Sequence, residues 1–206
     1  MTMTDIPLPP VTDPLLKLLR EYYGYKYVEL HGRNSGKGFY TQHDWRRIQY
    51  GIELLDPDSR SILDVGVGPS ALLNYLQLGK HYETVTGIDL RRYSKQILVD
   101  EQTDFRVMDA TALSFETDSY DTVVCMEVLE HIPGDAMFTA LEELRRVAKK
   151  QLIVSVPFDE PQPLPPYHHQ YFDAARIAEV FPKAEIHVLQ RPHRKGWPWA
   201  IAIETF

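Results

Sequence analysis

The chain has 206 residues, with 22 Lys and Arg against 29 Asp and Glu and a formal net charge of −7. That length suits one α/β domain with a full core, and the acidic balance argues against a broad nucleic-acid-binding surface. No apolar run reaches the ~18 residues of a membrane span, no basic segment leads into an apolar one at the amino terminus, and the single Cys125 has no internal disulfide partner. A soluble cytoplasmic protein is expected, its oligomeric state open.

In chain order, Met1 to Pro14 is rich in Pro and Thr and is expected to be a mobile arm, followed by a short helix marked by Leu15, Leu16, Leu18 and Leu19. A second helix is expected near Asp44 to Leu55. Between them, Tyr22 to Tyr40 is crowded with aromatics and glycines, including Tyr23, Tyr25, Tyr27, His31, Phe39 and Tyr40, and reads as a lid. Residues 1–56 are thus an N-terminal arm and helical lid segment, ahead of a main domain at 57–206. Gly32 to Gly38 imitates a phosphate loop, but three residues separate Gly32 from Gly36 where four are needed, and no Ser or Thr follows Lys37. That reading fails.

The stretch from Ser61 to Ala71 is the most informative. Ile62, Leu63 and Val65 read as a buried parallel strand, and Gly66 and Gly68 let the chain turn sharply and admit a ligand against the main chain. Pro69 suits a first helical turn and Ser70 can cap the freed amides. Gly66-x-Gly68-x-x-Ala71, with Asp89 about 20 residues on, also fits the alanine-ended dinucleotide fingerprint. The glycines alone therefore leave an NAD-dependent oxidoreductase open. Asp64, at the carboxyl end of the strand, gives a pyrophosphate nothing and suits a cationic ligand.

Strands are expected at Ser61 to Val65, Thr84 to Asp89, Asp104 to Met108, Thr122 to Met126 and Gln151 to Val156, with helical segments between them. The alternation predicts a Rossmann-like, doubly wound parallel sheet. Met137, Leu141, Leu144 and Ala148 recur at helical spacing as a core face, and Cys125 falls in a strand as a small core residue. Glu185 to Gln190 and Trp199 to Glu204 read as an antiparallel hairpin at the sheet edge. The fold class is α/β: one doubly wound, mostly parallel sheet with an antiparallel C-terminal strand.

Two segments keep alternatives open. Pro161, Pro163, Pro165 and Pro166 fix an extended path through Pro157 to Tyr171, either a wall of an acceptor pocket or a rigid surface loop. Arg191, His193, Arg194 and Lys195, beside Trp197 and Trp199, either hold a phosphate, a carboxylate or a stacked base, or form a solvated hairpin turn. Arg91 and Arg92 could suggest a 2′-phosphate, which the acid at Asp89 opposes.

Four motifs stand in order: Asp64-Val65-Gly66-Val67-Gly68, Gly87-Ile88-Asp89-Leu90, Val107-Met108-Asp109-Ala110, and the run from Asp121 through Glu127-Val-Leu-Glu130-His131 to Pro133. Over roughly residues 60 to 206 they resemble the class I S-adenosylmethionine-dependent methyltransferases, in the small-molecule, type 11-like branch. The resemblance implies that Asp64 faces the methionine part of S-adenosylmethionine, that the Gly66 and Gly68 backbone lies against it, and that Asp89, with Leu90 beside it, accepts both ribose hydroxyls. Asp109 and Ala110 would read the adenine edge, and Glu127 would sit by the methyl donor. For each carboxylate the alternative is a helix cap or loop residue. Ser70 departs from the pattern, standing where many members carry a third glycine. In this family a nucleophile displaces the methyl in line, so the enzyme mainly positions two partners and excludes water.

Glu127, Glu130 and His131 lie past a strand's carboxyl end, where open α/β sheets bind ligands. Their Glu-x-x-Glu-His pattern also resembles two metal-using branches, the ubiquinone-pathway O-methyltransferases and the small-RNA 3′-terminal 2′-O-methyltransferases. The RNA branch adds a later histidine before an aromatic, which His169-Gln170-Tyr171 fits, with His168 beside it. The implied metal ligands are Glu127, Glu130, His131 and His169, with Mg²⁺ the candidate ion because a hard cation prefers oxygen and would lower the pKa of an acceptor hydroxyl. Without a metal, His131 or His169 is the candidate catalytic base, or either is structural. The expected function is methyl transfer from S-adenosylmethionine to an O or N atom of a small-molecule acceptor, with neither nucleic acid nor membrane as partner. Alternatives are a metal-assisted RNA 2′-O-methyltransferase, an NAD-dependent oxidoreductase, and a non-catalytic module that keeps the donor site.

Overall fold

The computed structural model describes residues 2–32, 39–79, 81–93, 96–190 and 197–206. One eight-stranded sheet runs through them, in the order β1-β7-β8-β6-β5-β2-β3-β4. Its strands are β1 (Met3–Pro7), β2 (Ser61–Val65), β3 (Thr84–Asp89), β4 (Asp104–Val107), β5 (Tyr120–Met126), β6 (Ala148–Pro157), β7 (Glu185–Gln190) and β8 (Trp199–Thr205). β8 is antiparallel to both β6 and β7, and every other pair is parallel. The central strands are apolar on both faces because helices cover both. On one side α4 (Ala136–Val147) and α5 (Ala174–Val180) bury Met137, Leu141, Leu144, Ile177 and Val180. On the other, α1 (Pro14–His31), α2 (Gln42–Glu53) and α3 (Ala71–Gly79) bury Leu16, Leu19, Tyr23, Trp45, Ile48, Leu73 and Leu76.

Residues 3–7, within the segment expected as a mobile arm, form a strand. β1 adds in parallel to β7, from Met3 opposite Ile186 to Pro7 opposite Gln190, so main-chain bonding to an open strand outweighs the Pro and Thr content. The C-terminal hairpin consequently lies inside the sheet, not at its edge. The short helix expected around Leu15 to Leu19 runs on to His31. Asp13 caps it, Pro14 opens it, and Gly32 ends it at φ 66° in the left-handed region.

In the aromatic segment expected as a lid, Tyr23 is buried in the core and Tyr25 is exposed. Tyr23 stacks edge-on against Phe39 and Trp45, donates its hydroxyl to the Pro69 carbonyl at 2.7 Å, and accepts from Asn74 Nδ2 at 2.7 Å. Among the described residues no helix fills the β3–β4 or β4–β5 connections, contrary to expectation. Polar side chains on neighbouring helices hold these loops instead. Asn74 of α3 bonds the Val99 amide and the Ile97 carbonyl, while Glu143 and Arg146 of α4 bond Leu113 and Phe115. Among the described residues no helix is long and apolar enough to cross a membrane.

The chain reverses direction across the sheet between β2 and β5, where open α/β sheets form a ligand crevice at the strands' carboxyl ends. Glycine at 87 keeps β3 close to that crevice's floor: a Cβ there would lie 2.4 Å from Leu73 Cδ2 and 2.9 Å from Val67 Cγ1. Gly87→Ala should therefore cost about 1–3 kcal/mol through overpacking, seen as a lower urea midpoint at unchanged slope.

Candidate active site

Loops after β2, β3, β4 and β5 meet at the crevice and enclose two joined cavities. The larger, about 440 Å³, is lined by Gly66, Gly68, Asp89, Leu90, Tyr93, Asp109, Ala110, Glu127, His131 and Tyr167. The smaller, about 180 Å³, is lined by Tyr40, Arg47, Asp64, Met126 and Glu127 and shares Gly66 and Gly68 with the first. Leu90, Tyr93 and Tyr167 leave apolar surface exposed on the lining of the larger cavity.

The β2 turn is possible only with glycine. Gly66 has φ 75°, and a Cβ on it would lie 2.2 Å from Val128 Cγ2. Its amide and that of Val67 donate to the Ile88 carbonyl at 2.8 and 3.2 Å. Asp89 is locked in place: Oδ2 accepts from Gly68 N at 2.9 Å and Oδ1 from Leu90 N at 2.8 Å. Each oxygen retains acceptor capacity toward the cavity. Ser70 does not cap α3 with its side chain: its backbone is left-handed at φ 74°, and its buried hydroxyl has no partner. The carbonyl of Ser70 accepts from Asn74 N instead.

Asp64 is enclosed at the tip of β2 with Oδ2 unpartnered. Burial, reinforced by the nearby Asp89 charge, pushes its carboxyl up to about 7. Asp109 lines the larger cavity, and its Oδ1 also accepts from the Thr111 amide and hydroxyl at 2.8 Å, so it is a turn cap as well.

Glu127 stands where the cavities join, and its φ of 60° is a strained conformation for a residue with a side chain. Its oxygens are both engaged, Oε1 by Ser155 Oγ at 3.0 Å and Oε2 by Trp199 Nε1 at 2.7 Å. Arg47 completes the arrangement from α2. Its Nη1 donates to Ser155 Oγ at 3.2 Å, and its guanidinium lies 5.2 Å from the centre of the Trp199 ring.

The expected metal set differs from the one the fold assembles. Glu130, His131 and His168 bring one potential ligand atom each within 4.8 Å of the others. Glu127 is outside this group because Ser155 and Trp199 hold its carboxylate. His169 is outside it too: its backbone amide donates to the Glu130 carbonyl at 2.7 Å, while its side chain is exposed. Glu130 is 1% exposed with Oε2 unpartnered, and burial followed by the Glu127 charge raises its pKa well above the usual range. His131 Nδ1 lies 2.9 Å from the Tyr167 carbonyl, and His168 Nδ1 lies 2.6 Å from Oε2 of the buried Glu160.

Sequence reasoning missed Arg47, Ser155 and Glu160, since each lies outside the motif-bearing turns and reaches the site through packing, and it set Trp199 beside the basic cluster and not behind Glu127. The proline-rich segment reaches the larger cavity through Tyr167. Arg91 and Arg92 are exposed, with Arg91 over the Tyr93 ring and Arg92 over Phe105. The basic cluster at Arg191 to Lys195 and the phosphate-loop imitation at Arg33 to Gly38 lie outside the described residues.

Residues 63–155 match the sequence profile of a family described as Methyltransferase domain. The ubiquinone biosynthesis O-methyltransferase of Paracidovorax citrulli (strain AAC00-1) is 34% identical over 108 residues, covering 48% of this chain and 44% of that protein. The chain thus spans under half the length of the curated relatives it matches. Among solved structures, the magnesium protoporphyrin IX methyltransferase (ChlM) of Synechocystis PCC 6803 with bound S-adenosylhomocysteine has a TM-score of 0.58 at 18% identity, covering 92% of this chain and 98% of that one. The [4+2]-cyclase SpnF has a TM-score of 0.60 at 16% identity, covering 98% of each chain. Both are likenesses of fold. The profile falls on the strands that build the crevice, so the match to a methyltransferase domain covers the candidate site.

Proposed function

We propose that the chain transfers the methyl group of S-adenosylmethionine to an oxygen or nitrogen of a small-molecule acceptor. The observation that carries this is the pair of joined cavities with unlike chemistry. The larger fits a nucleoside, with Asp89 for the ribose hydroxyls and Asp109 and Ala110 at the adenine edge. The smaller fits a zwitterionic amino acid, with the Arg47 guanidinium for its carboxylate and the acids Asp64 and Glu127 for its ammonium. A dinucleotide would need its diphosphate beside those two acids, which repel it.

The sulfonium falls at the junction near Glu127, and the acceptor enters past His131 and Tyr167. The acceptor's lone pair forms the new bond to the methyl carbon as the carbon–sulfur bond breaks. The electrons of the broken carbon–sulfur bond stay on sulfur, leaving S-adenosylhomocysteine, and the acceptor gives up its proton. His131 lines the cavity and is the base in this reading. His169 acts through its main chain. The name of the curated relative supports oxygen as the acceptor atom.

A second reading is favoured by the Glu130, His131 and His168 group. Both histidines have Nδ1 tied to an outer oxygen, from Tyr167 or Glu160, which leaves Nε2 for ligation, and Glu130 has a buried unpartnered oxygen. A divalent cation bound there would lower the pKa of an acceptor hydroxyl. Two imidazoles and one carboxylate suit Zn²⁺, Mn²⁺ or Fe²⁺ better than Mg²⁺.

S-adenosylhomocysteine should raise the melting temperature and NADH should not; the reverse result sinks the donor assignment. Asp89→Ala should weaken S-adenosylhomocysteine at least about tenfold by calorimetry. Asp64 makes an opposed pair of effects. Its carboxyl rises from 3.8 to about 7 on folding, so between those values the folded chain binds the extra proton and stability falls as pH rises. Asp64→Asn should therefore melt on the order of 5 °C higher than the parent at pH 8, converge with it near pH 4, and bind S-adenosylhomocysteine more weakly. For the second reading, Glu130→Gln should abolish stoichiometric Zn²⁺ or Mn²⁺ binding in equilibrium dialysis, whereas turnover untouched by EDTA would dispose of a metal.

A further inference from the structure

We propose that the N-terminal segment from Met3 to Asp13 belongs to the donor-binding machinery, with Arg46 and Gln49 as positioning residues that set Arg47 over the smaller cavity. This rests on the reading of that cavity as the site of the donor's amino-acid half. β1 is fastened along β7 through its full length, and Gln190 Nε2 donates to Asp5 Oδ1 at 2.8 Å. The chain then crosses α2, where Leu8 is buried in the core shared by the first three helices. Arg46 Nε donates to the Pro9 carbonyl at 2.5 Å, and its Nη2 donates to the Leu8 carbonyl. One turn on, the buried Gln49 Oε1 accepts from both the Thr12 and Asp13 amides at 3.1 Å.

Arg47 lies between these two positions on the helix and reaches the other way, to Ser155 Oγ and the Trp199 ring. α2 is thus clamped between a main-chain strap on one side and the cavity wall on the other. Tyr50 adds a tie to His187 on β7, at 2.8 Å, the strand that β1 itself covers. A guanidinium discriminates by the direction of its donors, so a helix free to shift or roll would still carry the charge but lose its aim. The larger cavity contains no α2 residue. Loosening the strap should therefore affect one half of the donor and spare the other, a selectivity that a general loss of stability would not produce.

The test compares S-adenosylhomocysteine with adenosine, which lacks the amino-acid half, by calorimetry on the full-length chain. In the double variant Arg46→Ala with Gln49→Ala, the Kd for S-adenosylhomocysteine should rise about tenfold while that for adenosine stays within about twofold. Arg47→Ala should show the same selective pattern, and Arg46→Lys with native Gln49 should recover most of the loss. If the double variant does not fold, Gln49→Leu, which removes the acceptor for the two amides together with the Nε2 bond to Glu53, carries the same comparison. Equal weakening of both ligands, or no change in either, overturns the inference. An unaltered chain that binds S-adenosylhomocysteine no tighter than adenosine overturns instead the reading of the smaller cavity on which it rests.

Discussion

A carboxylate sealed at the end of a parallel strand is the constraint around which this molecule is organised. Asp64 is enclosed by β2, α3 and the glycine turn, has an oxygen without a partner, and faces a second acid at Asp89. Such a group lowers the stability of the empty fold, because burial disfavours its charge and a like charge stands close by. A locally cationic ligand would offset that cost, whereas a diphosphate would add to the repulsion. The surrounding strain has the same logic: Ser70, at the end of the glycine turn, and Glu127, between the cavities, both have positive φ.

The two halves of the crevice have different structural origins. The larger cavity is built from consecutive strand ends, so its acids are preset by backbone amides, as Gly68 and Leu90 preset Asp89. The smaller cavity is closed by a helix that packs over the sheet. Arg47 comes from α2, and it is registered against Ser155 of β6 and Trp199 of β8, which also hold Glu127. Glu127 therefore serves as the hinge of the site, tied by both oxygens and exposed to both cavities. Its engagement is also what separates it from Glu130, three residues on, whose carboxylate turns to the two histidines.

Strand-end acids and the glycine turn were legible because their meaning is local. An apolar run followed by Asp-x-Gly-x-Gly places the acid, the turn and the helix start within a few residues, and the period of the strands places Asp89 and Asp109 at equivalent tips. The choice between His168 and His169 was not legible. Adjacent side chains in an extended segment point to opposite sides, and only the bond from the His169 amide to the Glu130 carbonyl decides which imidazole turns toward the acid. The N-terminal segment was misjudged for a related reason: Pro and Thr content describes an isolated chain, whereas the vacant edge of β7 supplies main-chain partners that composition does not register.

By itself the amino-acid sequence determined the α/β class, the order of the strands from β2 onward, the glycine turn and the acids at three strand tips, since each depends on residues near one another in the chain. The tertiary structure decided which distant groups complete the crevice: Arg47 above it, Ser155 and Trp199 behind Glu127, Glu160 behind His168, and a terminal strand fastening the helix that carries Arg47. Those contacts join positions up to 108 residues apart, and no local propensity encodes which of many buried polar groups will meet once the helices close over the sheet.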